Sequence, residues 1–265
     1  MQNAMLRGVY VPLVTPCFRG GVDRVSLRRL IRYTQASVSG YVPCLSSGEG
    51  SVISDDVWRE VVAATRNATQ KTVIAGIKRR RMDEVITLAQ YARRIGCDAV
   101  MIPVPYADEA KTLRYFATLA QRIKLPIAVY NTEQNRIRTM RGIAQLQDID
   151  KIIGIKDSSM NERLFRSMCA MRLNGKLRLA VLQGMEHQMR VPRGCDGHIV
   201  ALANVEPALC KEMLERNSAE LEKRIGALFW SYNLGGNWYV SLKAVLRERG
   251  IIRSAEEAIV GIRPS

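Results

Sequence analysis

The sequence predicts an α/β chain folded as a (β/α)8 TIM barrel with additional C-terminal helices. Three observations carry that expectation. Eight short apolar runs recur along the 265 residues at intervals of about 25 to 30, the length of one βα unit. The runs are nearly continuous in apolar residues, as suits parallel strands covered on both faces. Between them lie segments whose apolar residues fall at helical spacing. Eight such units favour closure into a barrel over an open sheet, and 47% hydrophobic residues suffice for a large core.

In chain order the runs are "VYVPLVTP" (9–16), "YVPCLSS" (41–47), "TVIAGI" (72–77), "DAVMIPVP" (98–105), "PIAVYN" (126–131), "KIIGIKDS" (151–158), "LRLAVLQG" (177–184) and "GHIVALAN" (197–204). "SDDVWREVVAATRNAT" reads as a helix with Ser54 as N-cap and acids in the first turn, where the helix dipole favours them. In "DEVITLAQYARRIGC", Val85, Leu88, Ala89, Ala92 and Ile95 share one face, and Gly96 supplies a stop. Residues 205–265 are helical in pattern with a break at "NLGGN" (233–237). A single domain, 1–265, is expected, with the barrel over about 7–217 and a helical extension over about 218–265.

Composition narrows the function. No run of 18 apolar residues occurs and "MQNAMLRGVY" lacks a signal-peptide pattern, so a soluble, cytoplasmic protein is expected. The six cysteines form no C-x-x-C pair and read as buried free thiols. Only His187 and His198 could add imidazole ligands, without metal spacing, so neither a metal nor a cofactor is expected. The net charge of +15 fits nucleic-acid binding, an anionic substrate or a basic background. Most of the basic residues are dispersed over helical stretches and lack the aromatic interleaving of single-strand binders, so nucleic acid is not an expected partner. The exception is "KRRR", Lys78 to Arg81, which fits either a solvated helix start or an anion-binding rim.

In a (β/α)8 barrel the catalytic groups stand at the C-terminal ends of the strands. The second run ends in "CLSSGEG" (44–50), which matches neither a G-x-S-x-G elbow nor a P-loop. The fourth run continues into Tyr106, the fifth ends in Tyr130 and Asn131, and the sixth reaches Lys156. A lysine at the end of a buried strand needs a partner or a purpose. Desolvation disfavours the charged form of an amine and so suits a nucleophile that condenses with a ketone. An ion pair with Asp157 or another acid fits the same sequence. A phenol such as Tyr130 beside a Schiff-base nitrogen could shuttle protons, or could simply find a buried hydrogen-bond partner.

Taken together, "PLVTP" near the start, "SSGE" at 46–49, "YN" at 130–131, "GIKDSS" at 154–159 and "LKAVLRERGII" near the end resemble one family. It is the dihydrodipicolinate synthase and N-acetylneuraminate lyase family of class I pyruvate aldolases. The resemblance implies a Schiff base between Lys156 and pyruvate or another 2-oxo acid, which reacts with an aldehyde in aldol condensation or cleavage. It also implies Tyr130 as proton shuttle, Ser46 as relay, and Tyr106 as the tyrosine that crosses into a neighbouring subunit's site. Ser47, Gly48, Arg136 and Ile199 would bind substrate, with amides of the 46–47 loop on the carboxylate. A homo-oligomer, dimer or tetramer, is the implied assembly. The chain departs from the family at Leu45, where a glycine is usual, at Glu133 in place of a proline, at Arg136, displaced by about one residue, and in a somewhat shorter tail. These departures leave room for a divergent member acting on a sugar acid or an unusual aldehyde. A non-catalytic barrel with a basic binding surface is the reading from a different class.

Overall fold

In chain order the strands are β1 (Gly8–Val11), β2 (Cys17–Phe18), β3 (Gly21–Val22), β4 (Gly40–Tyr41), β5 (Thr72–Gly76), β6 (Ala99–Pro103), β7 (Ile127–Thr132), β8 (Ile152–Ser158), β9 (Ala180–Gln183) and β10 (Gly197–Ile199). The computed structural model describes residues 6–258. Eight strands close into a parallel barrel in the order β1-β10-β9-β8-β7-β6-β5-β4, with β4 pairing back to β1. Each apolar run supplies one of them. The remaining two, β2 and β3, form a small antiparallel hairpin. Its turn residues Arg19 and Gly20 both have left-handed backbone, φ 52° and 82°, as a two-residue hairpin turn requires.

The helices are α1 (Arg24–Thr34), α2 (Asp55–Ala68), α3 (Met82–Arg94), α4 (Glu109–Arg122), α5 (Met140–Leu146), α6 (Glu162–Leu173), α7 (Pro207–Arg216), α8 (Ala219–Ser231) and α9 (Trp238–Glu248). The expected start and stop signals operate where the chain carries them. Ser54 accepts a hydrogen bond from the Val57 N–H at the head of α2. Gly96, at φ 82°, ends α3, whose buried face includes Val85, Leu88, Ala89 and Ala92. The "NLGGN" break separates α8 from α9. Helix does not continue after α9, contrary to the pattern of 205–265: Gly250, at φ 69°, turns the chain and residues 251–258 are non-helical. Residues 259–265 of the expected extension lie outside the described residues, as do residues 1–5.

Apolar side chains form two layers. Leu6, Tyr10, Ile74, Met101, Ile153 and Leu182 fill the barrel, and a larger layer joins strands to helices. One irregularity aims the chemistry: Ile127 pairs with Ile152 but Ala128 pairs with Gly154, so Ile153 is an extra residue in β8. Beyond it Lys156 pairs with Tyr130 on one side and with Leu182 on the other. Tyr130 and Leu182 belong to the barrel interior, so Lys156 shares their face.

No helix among the described residues is long and apolar enough to cross a membrane, and no group of three His, Cys, Asp or Glu could hold a metal. All six cysteines are free, five of them buried. His198 is fully buried, and neither ring nitrogen makes a regular hydrogen bond. Burial pushes its imidazole from 6.5 down to about 4, with backbone groups of Met189 and Cys210 offsetting only part of that cost. The folded value lies below the unfolded one, so between pH 6.5 and 4 the unfolded chain binds the extra proton. Stability therefore falls as pH falls through that window, by on the order of 3 kcal/mol once both states are protonated. Urea unfolding followed against pH should show this acid limb, and His198→Phe should flatten it. An equally steep limb in the variant would reject the assignment.

Candidate active site

The loop after β4 is built by close backbone approach. Cys44 and Glu49 both adopt left-handed backbone, φ 58° and 57°. A Cβ on Gly50 would fall 1.7 Å from the Cys44 carbonyl oxygen, so no other residue fits. Thr15 Oγ1 donates to the Gly48 carbonyl at 2.7 Å. Glu49 is buried and its carboxylate accepts from Lys243 Nζ of α9 and, at 2.6 Å, from the Ala258 N–H. Ser47 Oγ accepts from the Trp238 indole at 3.3 Å. Glycine and left-handed residues thus shape the loop, and the C-terminal segment braces it.

This geometry decides which amides are free. The Gly48 N–H is given to the Leu45 carbonyl at 3.1 Å, Glu49's to Ser46 at 3.1 Å, and Gly50's to Leu45 at 3.0 Å. Among the described residues, the N–H groups of Ser46 and Ser47 have no acceptor within the chain. Two adjacent unpaired amides at a loop after a strand are suited to a carboxylate.

Across the cavity, Lys156 is 4% exposed. Among the described residues no carboxylate lies within ion-pair distance of it. The Asp157 alternative fails because successive strand residues face opposite ways. Its carboxylate instead accepts from Asn131 Nδ2 at 2.9 Å and Ser159 Oγ at 3.1 Å. Burial raises the Asp157 pKa, and those hydrogen bonds and the Arg136 charge offset only part of the rise. The Lys156 Nζ stands 4.2 Å from the Tyr130 ring centroid. Burial alone would push the Tyr130 phenol up, but the Lys156 charge and the nearby Ser158, Ser46 and Lys156 donors outweigh it, and the net direction is down.

These groups open on a cavity of about 640 Å³. Ser46, Ser47, Tyr130 and Lys156 all line it. The other expected site residues do not. Gly48 lies beneath the loop with its amide engaged, and Ile199 is fully buried inside the barrel. Tyr106 packs edge-on against Tyr115 at 5.8 Å, outside the cavity of its own chain. Arg136 donates to the carbonyls of Glu133 at 2.9 Å and Ser159 at 3.0 Å, away from the cavity. The "KRRR" run divides. Lys78 lines the cavity, while Arg79 binds Asp55 and the carbonyls of Gly50 and Ile53. Arg80 is exposed and Arg81 pairs with Asp83 at the head of α3.

Several cavity residues lie outside the sequence-based expectation. Ser158 is two residues beyond Lys156, hence on the same face, and its buried hydroxyl has no regular hydrogen bond. Gly184, at the end of the seventh run, leaves room for both: a methyl there would lie 2.1 Å from Ser158 Oγ and 2.7 Å from Lys156 Cε. The strand-end rule would have found these two. Trp238 and Phe229 arrive from the C-terminal helices, and no local signal marks them.

A profile of the dihydrodipicolinate synthetase family matches residues 5–257. The chain belongs to that family. It is 32% identical over 220 residues to a 4-hydroxy-tetrahydrodipicolinate synthase of Acidiphilium cryptum (strain JF-5), covering 79% of this chain and 74% of the relative. The dihydrodipicolinate synthase structure from Bacteroides thetaiotaomicron superposes with TM-score 0.85 at 25% identity, covering 96% and 92% of the two chains. CdNal from Clostridium difficile, solved in complex with mannosamine, shares the fold at TM-score 0.83 and 21% identity over 93% of this chain and 90% of that one. The chain is accordingly an enzyme of the pyruvate-dependent, lysine Schiff-base aldolase type.

The Glu49–Lys243 pair is fully desolvated, so removing one partner strands the other. Lys243→Met should lower unfolding stability by about 3 to 5 kcal/mol. The double variant Glu49→Gln with Lys243→Met should recover part of that in urea unfolding; strictly additive losses would show that the pair is not the brace.

Proposed function

We propose that this enzyme joins a 2-oxo acid, pyruvate in the simplest case, to an aldehyde through a Schiff base on Lys156, or cleaves the product in reverse. The observation that carries the assignment is a buried amine with no carboxylate partner, set beside the Tyr130 phenol in a cavity.

The N–H groups of Ser46 and Ser47 receive the 2-oxo acid carboxylate, which holds the ketone carbon toward Lys156. The amine attacks that carbon, and the ketone oxygen takes one proton from the attacking nitrogen, relayed by Tyr130, and a second from Tyr130 itself, then leaves as water, giving an iminium beside a Tyr130 phenolate. The phenolate takes a C3 proton to give an enamine, whose C3 bonds to the aldehyde carbon while Tyr130 returns that proton to the aldehyde oxygen. Water then hydrolyses the iminium and frees both the 4-hydroxy-2-oxo acid and the lysine. No oxidant or reductant is consumed. A phenol shifted downward from the usual tyrosine range can serve in both directions of proton transfer. Ser46 is exposed, so it links that phenol to solvent.

The acceptor is an aldehyde, and the working form is a homo-oligomer in the cytoplasm. Tyr106, half-buried and outside its own chain's cavity, is free to complete a neighbouring site. Incubation with pyruvate and borohydride should add the reduced adduct mass to the peptide carrying Lys156. Tyr130→Phe should cut kcat by about 10² to 10⁴ while still allowing slow trapping. No adduct with any of several 2-oxo acids would overturn the proposal.

A further inference from the structure

The part of the cavity lined by the C-terminal helices has a composition of its own. Phe229 of α8, Leu234 of the connector, and Trp238 and Tyr239 of α9 form its wall. Its rings are held before any ligand arrives. Phe229 packs edge-on against His187 at 6.0 Å and Trp230 at 5.4 Å. Trp238 is fixed by its hydrogen bond to Ser47 and by Tyr239 at 5.7 Å. Aromatic faces oriented in advance lose little entropy on binding a flat apolar group.

The charges point the same way. Among the described lining residues there is no arginine; Arg136 lies outside the lining and gives its Nη1 to two backbone carbonyls. Besides Lys156 the cavity is lined by one lysine, the exposed Lys78, and by the carboxylates of Glu133 and Glu186, with Glu49 already neutralised by Lys243. Glu186 caps the Ala201–Asn204 turn, accepting from Ala201 N at 2.5 Å and Leu202 N at 3.3 Å, so its charge is fixed in place. An acceptor bearing a carboxylate would meet two like charges and no bidentate partner. Ser51, Thr132, Gln134 and Asn135 also line the cavity, but hydroxyls of an acceptor laid against Phe229 and Trp238 would face hydrocarbon.

We infer that the acceptor aldehyde is uncharged and carries an aromatic body, which lies against Phe229 and Trp238 while its carbonyl carbon faces the enamine on Lys156. This rests on the Schiff-base reading above. Pyruvate and an aromatic aldehyde then combine, one C–C bond forming and the aldehyde oxygen gaining a proton, to give a 4-aryl-4-hydroxy-2-oxobutanoate after hydrolysis of the iminium.

The test uses the purified enzyme with pyruvate and four aldehydes: benzaldehyde, succinate semialdehyde, glyceraldehyde and 3-aminopropanal, with products read by mass spectrometry and NMR. Benzaldehyde should give the highest kcat/KM, about ten-fold or more above the others. Phe229→Ala should raise the KM for benzaldehyde about ten-fold more than it raises that for glyceraldehyde. Preference for the carboxylate-bearing, hydroxylated or amine-bearing aldehyde, or an equal loss with every aldehyde in the variant, would overturn the inference. Exchange of the pyruvate methyl hydrogens in D2O and borohydride trapping need no acceptor. If both occur and benzaldehyde is refused, the acceptor class alone is wrong; if neither occurs, the Schiff-base reading fails and this inference falls with it.

Discussion

The contact between Glu49 and Lys243 places one full negative and one full positive charge where no water reaches them. Such a pair is costly to assemble and more costly to break, so its value lies in fixing geometry rather than in adding net stability. Here it joins the loop after β4 to the last helix, and the second carboxylate oxygen holds the Ala258 N–H. Lys243 also donates to the Glu256 carbonyl at 2.8 Å. Loop, helix and terminal segment therefore form one unit. The free amides of Ser46 and Ser47 keep their direction because Glu49, three residues further on, is held in place.

The pairing of Lys156 with Tyr130 depends on a different constraint, the two-residue period of a strand. Lys156 and Asp157 are neighbours in sequence yet sit on opposite sides of β8, which removes the nearest counter-charge from the amine. Asn131 repeats the arrangement on β7: it turns outward to Asp157 and Ile137, while Tyr130 turns inward to Lys156. The extra residue Ile153 keeps these partners in register. Gly184 supplies the remaining space beside the lysine stem. Chemistry and sheet geometry are thus inseparable at this end of the barrel.

What could be read in the sequence follows from these same rules. Apolar runs report burial, and all eight locate barrel strands. They overstate strand length because buried loops are apolar too. The run at 41–47 is strand only through Tyr41, after which tight turns begin, and the run at 197–204 passes from β10 into a short helical turn. Asn204 there binds the Pro12 carbonyl and the Val14 N–H, a long-range role that no local pattern carries. Lys156, Tyr130, Ser46 and Ser47 meet at one cavity because strand ends are defined positions. Arg136 does not join them: its Nη1 satisfies the carbonyls of Glu133 and Ser159, and the residue stays outside the cavity lining.

The C-terminal helices bind stability and selectivity together. Trp238 donates to Ser47 and at the same time walls the outer cavity, and five residues further along the chain Lys243 holds Glu49. A change in α9 that reshaped this wall would therefore also disturb the Ser46–Ser47 loop. Phe229 on α8 is held differently, by edge-on packing against His187 and Trp230 rather than by a hydrogen bond to the Ser46–Ser47 loop. Selectivity for the acceptor can drift through α8 and the Gly235–Gly236 connector while α9 stays fixed by its charge pair. The tail thus divides into a part that can vary and a part that cannot, and the boundary falls at the turn before Trp238.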